Sequence, residues 1–189
     1  KYFILIIAFV TNINFSYAAI VEGTCGDNLT WSLNTADSTL NISGSGNMSF
    51  ENSNAPWADY SGYIAYVTLP DNLTSICDKA FLSCKIYSID IPSSVTSIGS
   101  YAFYNCSRLN YIKIPYGVTY IGAYAFYLCQ YLKSIEIPNN INEIYNYTFA
   151  YCYRLQSVIL GSGLSKINSG AFAQNNNLSS ITLLATTTT

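Results

Sequence analysis

The sequence predicts a repeat solenoid, mainly β, and three observations carry that prediction. Phenylalanines recur at a fixed step, isoleucines and prolines recur in phase with them, and within each repeat the apolar residues alternate as along a half-buried strand. Phe81, Phe103, Phe126, Phe149 and Phe172 are separated by 22, 23, 23 and 23 residues. Ile76, Ile98, Ile121, Ile144 and Ile167 keep the same step, as do Pro70, Pro92, Pro115 and Pro138. The residue before each Phe is small: Ala80, Ala102, Ala125, Thr148 and Ala171. A fixed period of roughly 20 to 29 residues marks coils that cannot bury their own apolar face and must stack on their neighbours. The single shorter step arises because Cys84-Lys85-Ile86 lacks one residue relative to Cys106-Ser107-Arg108-Leu109.

The elements follow in order. Residues 1–18, with Lys1, an apolar run from Tyr2 to Val10 and the small-x-small ending Ser16-Tyr17-Ala18, have the form of a secretory signal peptide. The apolar run is about half the roughly 20 residues that a membrane span needs. Without Lys1 the chain carries seven basic and ten acidic residues, a net of 7 − 10 = −3. Residues 19–63 read as an N-terminal β-hairpin cap: Trp31 and Leu33 alternate with Ser32, Leu40 and Ile42 alternate with Asn41, and turn residues lie between. Trp31 and Trp57 are suited to cover the first coil. Residues 64–183 form the coils. In each, a stretch such as Leu109-x-x-Ile112-x-Ile114-Pro115 turns Ile112 and Ile114 inward and Tyr111 and Lys113 outward, and the proline ends the ladder. A second short segment, Val118-x-x-Ile121, follows, and Ala125-Phe126 lies on a helical or irregular arc that closes the coil. Residues 184–189 are a Thr-rich end.

The frame L-x-x-I-x-I-P-x-x-V-x-x-I-G-x-x-A-F-x-x-C, present as "LNYIKIPYGVTYIGAYAFYLC", resembles the BspA-like class of leucine-rich repeat. The segment "GTCGDNLTWSLNTADSTLNISGSGNM", with Pro56-Trp57 after it, is similar to the stretch that opens such arrays. The resemblance implies a right-handed parallel solenoid at the surface of bacteria or parasitic protists, with roles in adhesion to host cells or to matrix proteins such as fibronectin. Tyr145 and Asn168 stand where the frame has Gly, Gly161 where it has Pro, and Asn175 where it has Cys. The last two coils are therefore expected to be less regular.

The cysteines divide into two sets. Cys84, Cys106, Cys129 and Cys152 lie one period apart, so they form a single buried file at roughly 4.8 Å per coil. Parallel side chains at that spacing lie beyond the roughly 3.5–4.5 Å between β-carbons that a relaxed disulfide uses. A file also diverges where a metal needs convergent ligands, and the chain has no histidine. Packing is the favoured reading, and no metal or cofactor is expected. Cys25 in the cap and Cys77 in the first coil are separate, and a disulfide between them is the alternative to two free thiols.

Catalysis finds little support. The absence of histidine removes Ser-His and Cys-His relays. Asp90 and Glu136 share an outward strand position two coils apart, roughly 9.6 Å, but Lys113 lies between them. A charge ladder of Asp90, Lys113 and Glu136 is the plainer reading. The outward residues Ser88, Asp90, Tyr111, Lys113, Ser134 and Glu136 make the candidate binding face. The chain has eighteen tyrosines, and two files stand out: Tyr101, Tyr124 and Tyr147 in one, Tyr104 and Tyr127 in another, expected to stack along the convex side either as simple ladder packing, the favoured reading, or as a recognition surface of flat amphipathic area with a hydroxyl at its edge. Asn28, Asn41, Asn47, Asn72, Asn105, Asn146 and Asn177 begin N-glycosylation sequons.

These features predict a non-enzymatic protein, secreted or at the cell surface, that recognises a protein partner, such as a host-cell or matrix protein, or a glycan. A structural coat that self-associates through its C-terminal edge is the alternative. No basic cluster is visible along the sequence, so nucleic acid is not expected as a partner.

Overall fold

The computed structural model describes residues 19–50 and 54–185; the expected signal peptide and residues 186–189 of the Thr-rich end lie outside the described residues. The chain begins with β1 (Ile20–Gly26), β2 (Leu29–Asn34), β3 (Thr39–Gly44) and β4 (Gly46–Asn47). Each of the following coils then contributes two strands, the first being the longer from the second coil onward. These are β5 (Tyr66–Thr68) with β6 (Leu73–Ile76), β7 (Ser88–Asp90) with β8 (Ser97–Ile98), and β9 (Tyr111–Lys113) with β10 (Tyr120–Ile121). They continue as β11 (Ser134–Ile137) with β12 (Glu143–Ile144), β13 (Ser157–Leu160) with β14 (Lys166–Ile167), and a last strand β15 (Ser180–Leu183). The result is a mainly-β solenoid of about six turns.

The repeat sets the register. Ser88, Ile89 and Asp90 lie opposite Tyr111, Ile112 and Lys113, and Ser134 to Ile137 lie opposite Ser157 to Leu160, all in parallel pairs. The inward positions are sealed: Ile112 and Ile114 are buried, while Tyr111 and Lys113 are exposed. The phenylalanines form one continuous column. Ring centroids of Phe81, Phe103, Phe126, Phe149 and Phe172 follow at 5.3, 5.2, 5.2 and 5.6 Å, with interplanar angles of 25, 6, 4 and 9°. Equivalent side chains can stack in this way only if successive turns lie in register.

The arc that carries the column is built of turns, not helix; the 3-10 turn Ala58–Tyr60 is the one helical element among the described residues. Its backbone is paired between coils instead. Tyr101, Phe103 and Asn105 donate their N–H groups to the carbonyls of Ala123, Ala125 and Tyr127 in the next coil, at 3.1, 2.8 and 2.7 Å. An α-helix would have used those groups internally. The pattern requires two left-handed residues per coil, such as Tyr124 (φ 59°) and Leu128 (φ 60°). Gly170 (φ 68°) fills the position equivalent to Tyr124 in the last arc. A β-carbon there would lie 2.4 Å from the ring of Tyr147.

The cap contains the expected hairpin, with Trp31 opposite Ile42 and Leu33 opposite Leu40 in β2 and β3. It is larger than expected. Strand β1 pairs antiparallel with β2, and Gly23 lies directly beneath the Trp31 indole. The alternation of β1 is weak in sequence because Gly23 leaves one inward position without a side chain. The cap also merges with the array: β3 pairs parallel with β5, and β4 with β6. Trp57 stacks on Phe81 at 6.1 Å, prolonging the column, and donates its indole N–H to the Ala80 carbonyl at 2.8 Å.

The expectation of less regular final coils is corrected by the structure. Ile144 lies opposite Ile167 and Leu160 opposite Leu183 in unbroken parallel register. At the glycine position, a β-carbon on Gly122 would meet the Ser100 nitrogen at 2.4 Å. Tyr145 nevertheless occupies the equivalent place, its ring edge-on to Tyr120 at 5.3 Å. Asn175 replaces the thiol of its file with a hydrogen-bonding equivalent, described below.

Candidate functional site

The candidate binding face is the outward surface of the longer strands. Ser88, Asp90, Tyr111, Lys113, Ser134 and Glu136 are all exposed on it, and the pairing of Ser88 with Tyr111 and of Asp90 with Lys113 places them in two parallel rows. The face is not uniform. Strands β7 and β9 form one ladder and β11, β13 and β15 another, with no ladder pairing between β9 and β11. The bond that precedes them, from Lys133 N–H to the Asn110 carbonyl, is stretched to 3.4 Å, whereas Gln156 N–H reaches the Lys133 carbonyl at 2.8 Å one coil on. A groove of about 360 Å³ opens at this seam. It joins the expected Tyr111, Lys113, Ser134 and Glu136 to Tyr116, Ser157 and Ile159, which the sequence reading did not select. Ser157 and Ile159 were legible, being one period beyond Ser134 and Glu136. Tyr116 lies in the turn after the proline and has no counterpart in that pattern.

The charge ladder expected along this face is not made. Asp90 and Lys113 are opposite in register, yet the one ion pair among the described residues is Lys166 Nζ to Glu143 Oε1, at 2.7 Å on the neighbouring short strands. Lys166 and Asn168 hold the Glu143 carboxyl below its usual range by hydrogen bonding. Lys113 instead lies over the Tyr116 ring, 5.9 Å from its centroid. A flexible lysine exposed to water gains little from a carboxylate across a strand, and a nearby aromatic face competes on equal terms.

The tyrosine files form and stack as a packing ladder, and what they leave to a partner is narrower than flat ring area. Tyr101 stacks on Tyr124 at 4.9 Å and 3°, Tyr124 on Tyr147 at 5.2 Å and 22°, and Tyr104 on Tyr127 at 5.0 Å and 8°. Tyr151 extends the second file at 5.0 Å from Tyr127. The ring faces are spent on one another, so the stripe shows edges and hydroxyls rather than flat area. Partial desolvation and the neighbouring phenols hold the Tyr124 hydroxyl above its ordinary range.

Cys84, Cys106, Cys129 and Cys152 are fully buried. Their role exceeds packing. The thiols of Cys106, Cys129 and Cys152 donate to the carbonyls of Phe81, Phe103 and Phe126 in the preceding coils, at 3.0, 3.3 and 3.3 Å. Asn175 does the same to Phe149 at 2.9 Å and accepts the Cys152 N–H at 2.8 Å. Cys and Asn thus serve one purpose, a buried donor to an arc carbonyl. Burial pushes the thiols of Cys84 and Cys152 up to about 12 and those of Cys106 and Cys129 well above their ordinary value, so none offers a thiolate at neutral pH. Cys25 and Cys77 are free in the structure, Cys25 buried and Cys77 half-buried.

Of the sequon asparagines, Asn28, Asn41, Asn47, Asn72, Asn146 and Asn177 are exposed. Asn105 is half-buried and donates to Ser83 Oγ at 3.2 Å. Asn177 donates to the Tyr153 carbonyl, and the amide oxygens of Asn41 and Asn47 accept from Thr68 and Thr74. Among the described residues, no helix is long and apolar enough to cross a membrane.

Comparison with known proteins agrees with this geometry. No curated protein matches the chain. A leucine-rich repeat protein from Eubacterium ventriosum shares 26% identity at a TM-score of 0.74, over 88% of this chain and 44% of that one. The T. pallidum leucine-rich repeat protein shares 27% identity at a TM-score of 0.59, over 80% and 66%. One from Bacteroides ovatus, 24% identical at a TM-score of 0.52 over 82% and 51%, shares the fold. The chain therefore spans between about two fifths and two thirds of these proteins. The BspA-type leucine-rich repeat region matches residues 58–179 in six copies, and the chain belongs to that family.

Proposed function

We propose that this protein is a non-catalytic recognition module, secreted or held at a cell surface, that binds a protein partner through its outward strand face and serves in adhesion. The single observation that carries this reading is the groove at the seam between β9 and β11. There Tyr111, Lys113, Ser134 and Glu136 converge with Tyr116, and among the described residues Lys113 and Glu136 have no ion-pair partner. Exposed aromatic and charged groups on a scaffold paired coil to coil by backbone hydrogen bonds are the chemistry of a protein-binding surface, because little backbone freedom is lost on contact. Membership of a family of interaction repeats supports the same reading.

The test is solid-phase binding to immobilised matrix proteins and to host cells, fibronectin being the first probe. Tyr111→Ala with Glu136→Ala is expected to lower binding at least about tenfold, as loss of central contacts does. Unchanged binding by that variant removes the face from the proposal. Sedimentation of the free protein is run beside it; concentration-dependent assembly abolished by the same substitutions would mark a coat component instead.

A further inference from the structure

The fold collects basic residues that the sequence scatters. Lys85, Arg108, Lys113, Lys133 and Arg154 all lie between the cysteine position of a coil and the end of its longer strand, where the acids are Asp90 and Glu136. This edge is net +3 (5 − 2) on a chain whose remainder is acidic. None of the five is in an ion pair among the described residues. Two arginines are held in place by tyrosines of the preceding coil. The Arg154 guanidinium lies 4.0 Å over the Tyr131 ring, and Arg108 lies 5.4 Å over Tyr87 while donating to its hydroxyl at 2.6 Å. Stacking covers one face of the Arg154 guanidinium and the hydroxyl bond anchors one nitrogen of Arg108, and the other N–H groups of each fork remain to grip sulfate or carboxylate oxygens.

We propose that this edge binds an anionic glycan, a linear polymer carrying sulfate or carboxylate groups along its length. It deepens the recognition reading above, and rests on it, by naming the partner chemistry of the flank of that face. Charge complementarity selects the class, and the width of the strip selects the form. Arg108 and Arg154 stand two coils apart, roughly 9.6 Å, with Lys133 on the coil between them. Asp90 and Glu136, with Lys113 between them, border this row on the strand side, so the part of the strip free of carboxylates has room for one chain. A duplex nucleic acid would lay its second phosphate row over those carboxylates. An acidic peptide would have to be ordered into the straight line that a stiff polysaccharide already has, at a cost in chain entropy.

The experiment measures binding of the whole protein to dextran sulfate, unsubstituted dextran, duplex DNA and polyglutamate over a series of salt concentrations. Dextran sulfate is expected to bind, to weaken steeply with salt and to outcompete the other three. Arg108→Ala with Arg154→Ala is expected to lower that binding about tenfold or more, since charge-assisted contacts are the strong ones. Arg154→Lys, which keeps the charge and loses the stacked fork, should lose part of it, and Lys79→Ala, off the strip, none. Both arginines are exposed, and an unchanged urea midpoint for the double variant confirms that it is folded. Absence of dextran sulfate binding, equal binding of DNA or polyglutamate, or equal losses from Lys79→Ala would each overturn the inference. Fibronectin binding that persists when the dextran sulfate arm fails leaves the strand-face reading standing and removes only this one.

Discussion

Replacing Phe126 with alanine tests whether the aromatic column is the energetic spine of the array. Phe126 is fully buried and lies at 5.2 Å from both Phe103 and Phe149, with interplanar angles of 6 and 4°. Truncating a buried Phe to Ala costs about 3–5 kcal/mol in lost transfer energy and cavity. Each aromatic pair contributes about 0.5–1.5 kcal/mol beyond its buried area, and here two are lost together. The expected loss is therefore at the upper end, about 4–5 kcal/mol. Phe172 offers the internal control: it is half-buried and stacks on Phe149 alone, at 5.6 Å. Phe172→Ala should cost about half as much by the same reasoning. Urea unfolding followed by tyrosine and tryptophan fluorescence measures both midpoints, and an unchanged slope shows that the variants unfold from the same compact state. Equal losses at the two positions, or a loss below about 1 kcal/mol for Phe126→Ala, would refute the column as the source of stability.

The two tryptophans of the cap should respond differently. Among the described residues the Trp31 indole N–H is buried without a partner, so Trp31→Phe removes an unsatisfied donor and should cost less than about 1 kcal/mol, whereas Trp57→Phe forfeits the bond to Ala80 and should cost about 1–3 kcal/mol by thermal or urea denaturation. Stability should fall on the alkaline side. The thiols of Cys25, Cys77, Cys84 and Cys152 are raised from 9.0 to about 12 in the folded chain, so the folded state holds more protons than the unfolded one across that interval. Their contribution is complete below pH 9 and is lost as pH rises toward 12; urea midpoints that stay level across this window would contradict it. Gly170→Ala should destabilise by about 1–2 kcal/mol because its φ of 68° is left-handed and its β-carbon would strike Tyr147, while Gly62→Ala, with nothing within 4 Å, should be neutral in the same melt.

The repeat was legible because side-chain identity along this chain follows a single rule, that what faces inward in one coil faces inward in the next. Ile112, Phe126 and Cys129 could each be placed from their spacing alone, and so could the outward rows at Tyr111 and Lys113. The cap was half legible: Trp31 and Leu33 announce β2 by alternation, whereas β1 is hidden by Gly23, which is absent as a side chain because the Trp31 ring occupies that space. Of the candidate site, the residues were legible and not all of their contacts were. The stacking of the tyrosine files follows from their spacing, whereas Lys113 chooses Tyr116 over Asp90, because such choices depend on rotamers and on neighbours a period away.

The sequence by itself determined the architecture: the period, the register and the inward and outward faces, since periodic burial leaves few other ways to hide so many apolar residues in a chain with so few charges. Only the tertiary structure decided where the ladder parts between β9 and β11, which carbonyl each buried thiol serves, and that basic residues far apart in the chain form one edge. Those are facts of distance between coils. A one-dimensional pattern records which residues are equivalent, but the gaps of a few tenths of an ångström and the side-chain orientations that make a groove or a charged strip arise only when the coils are stacked.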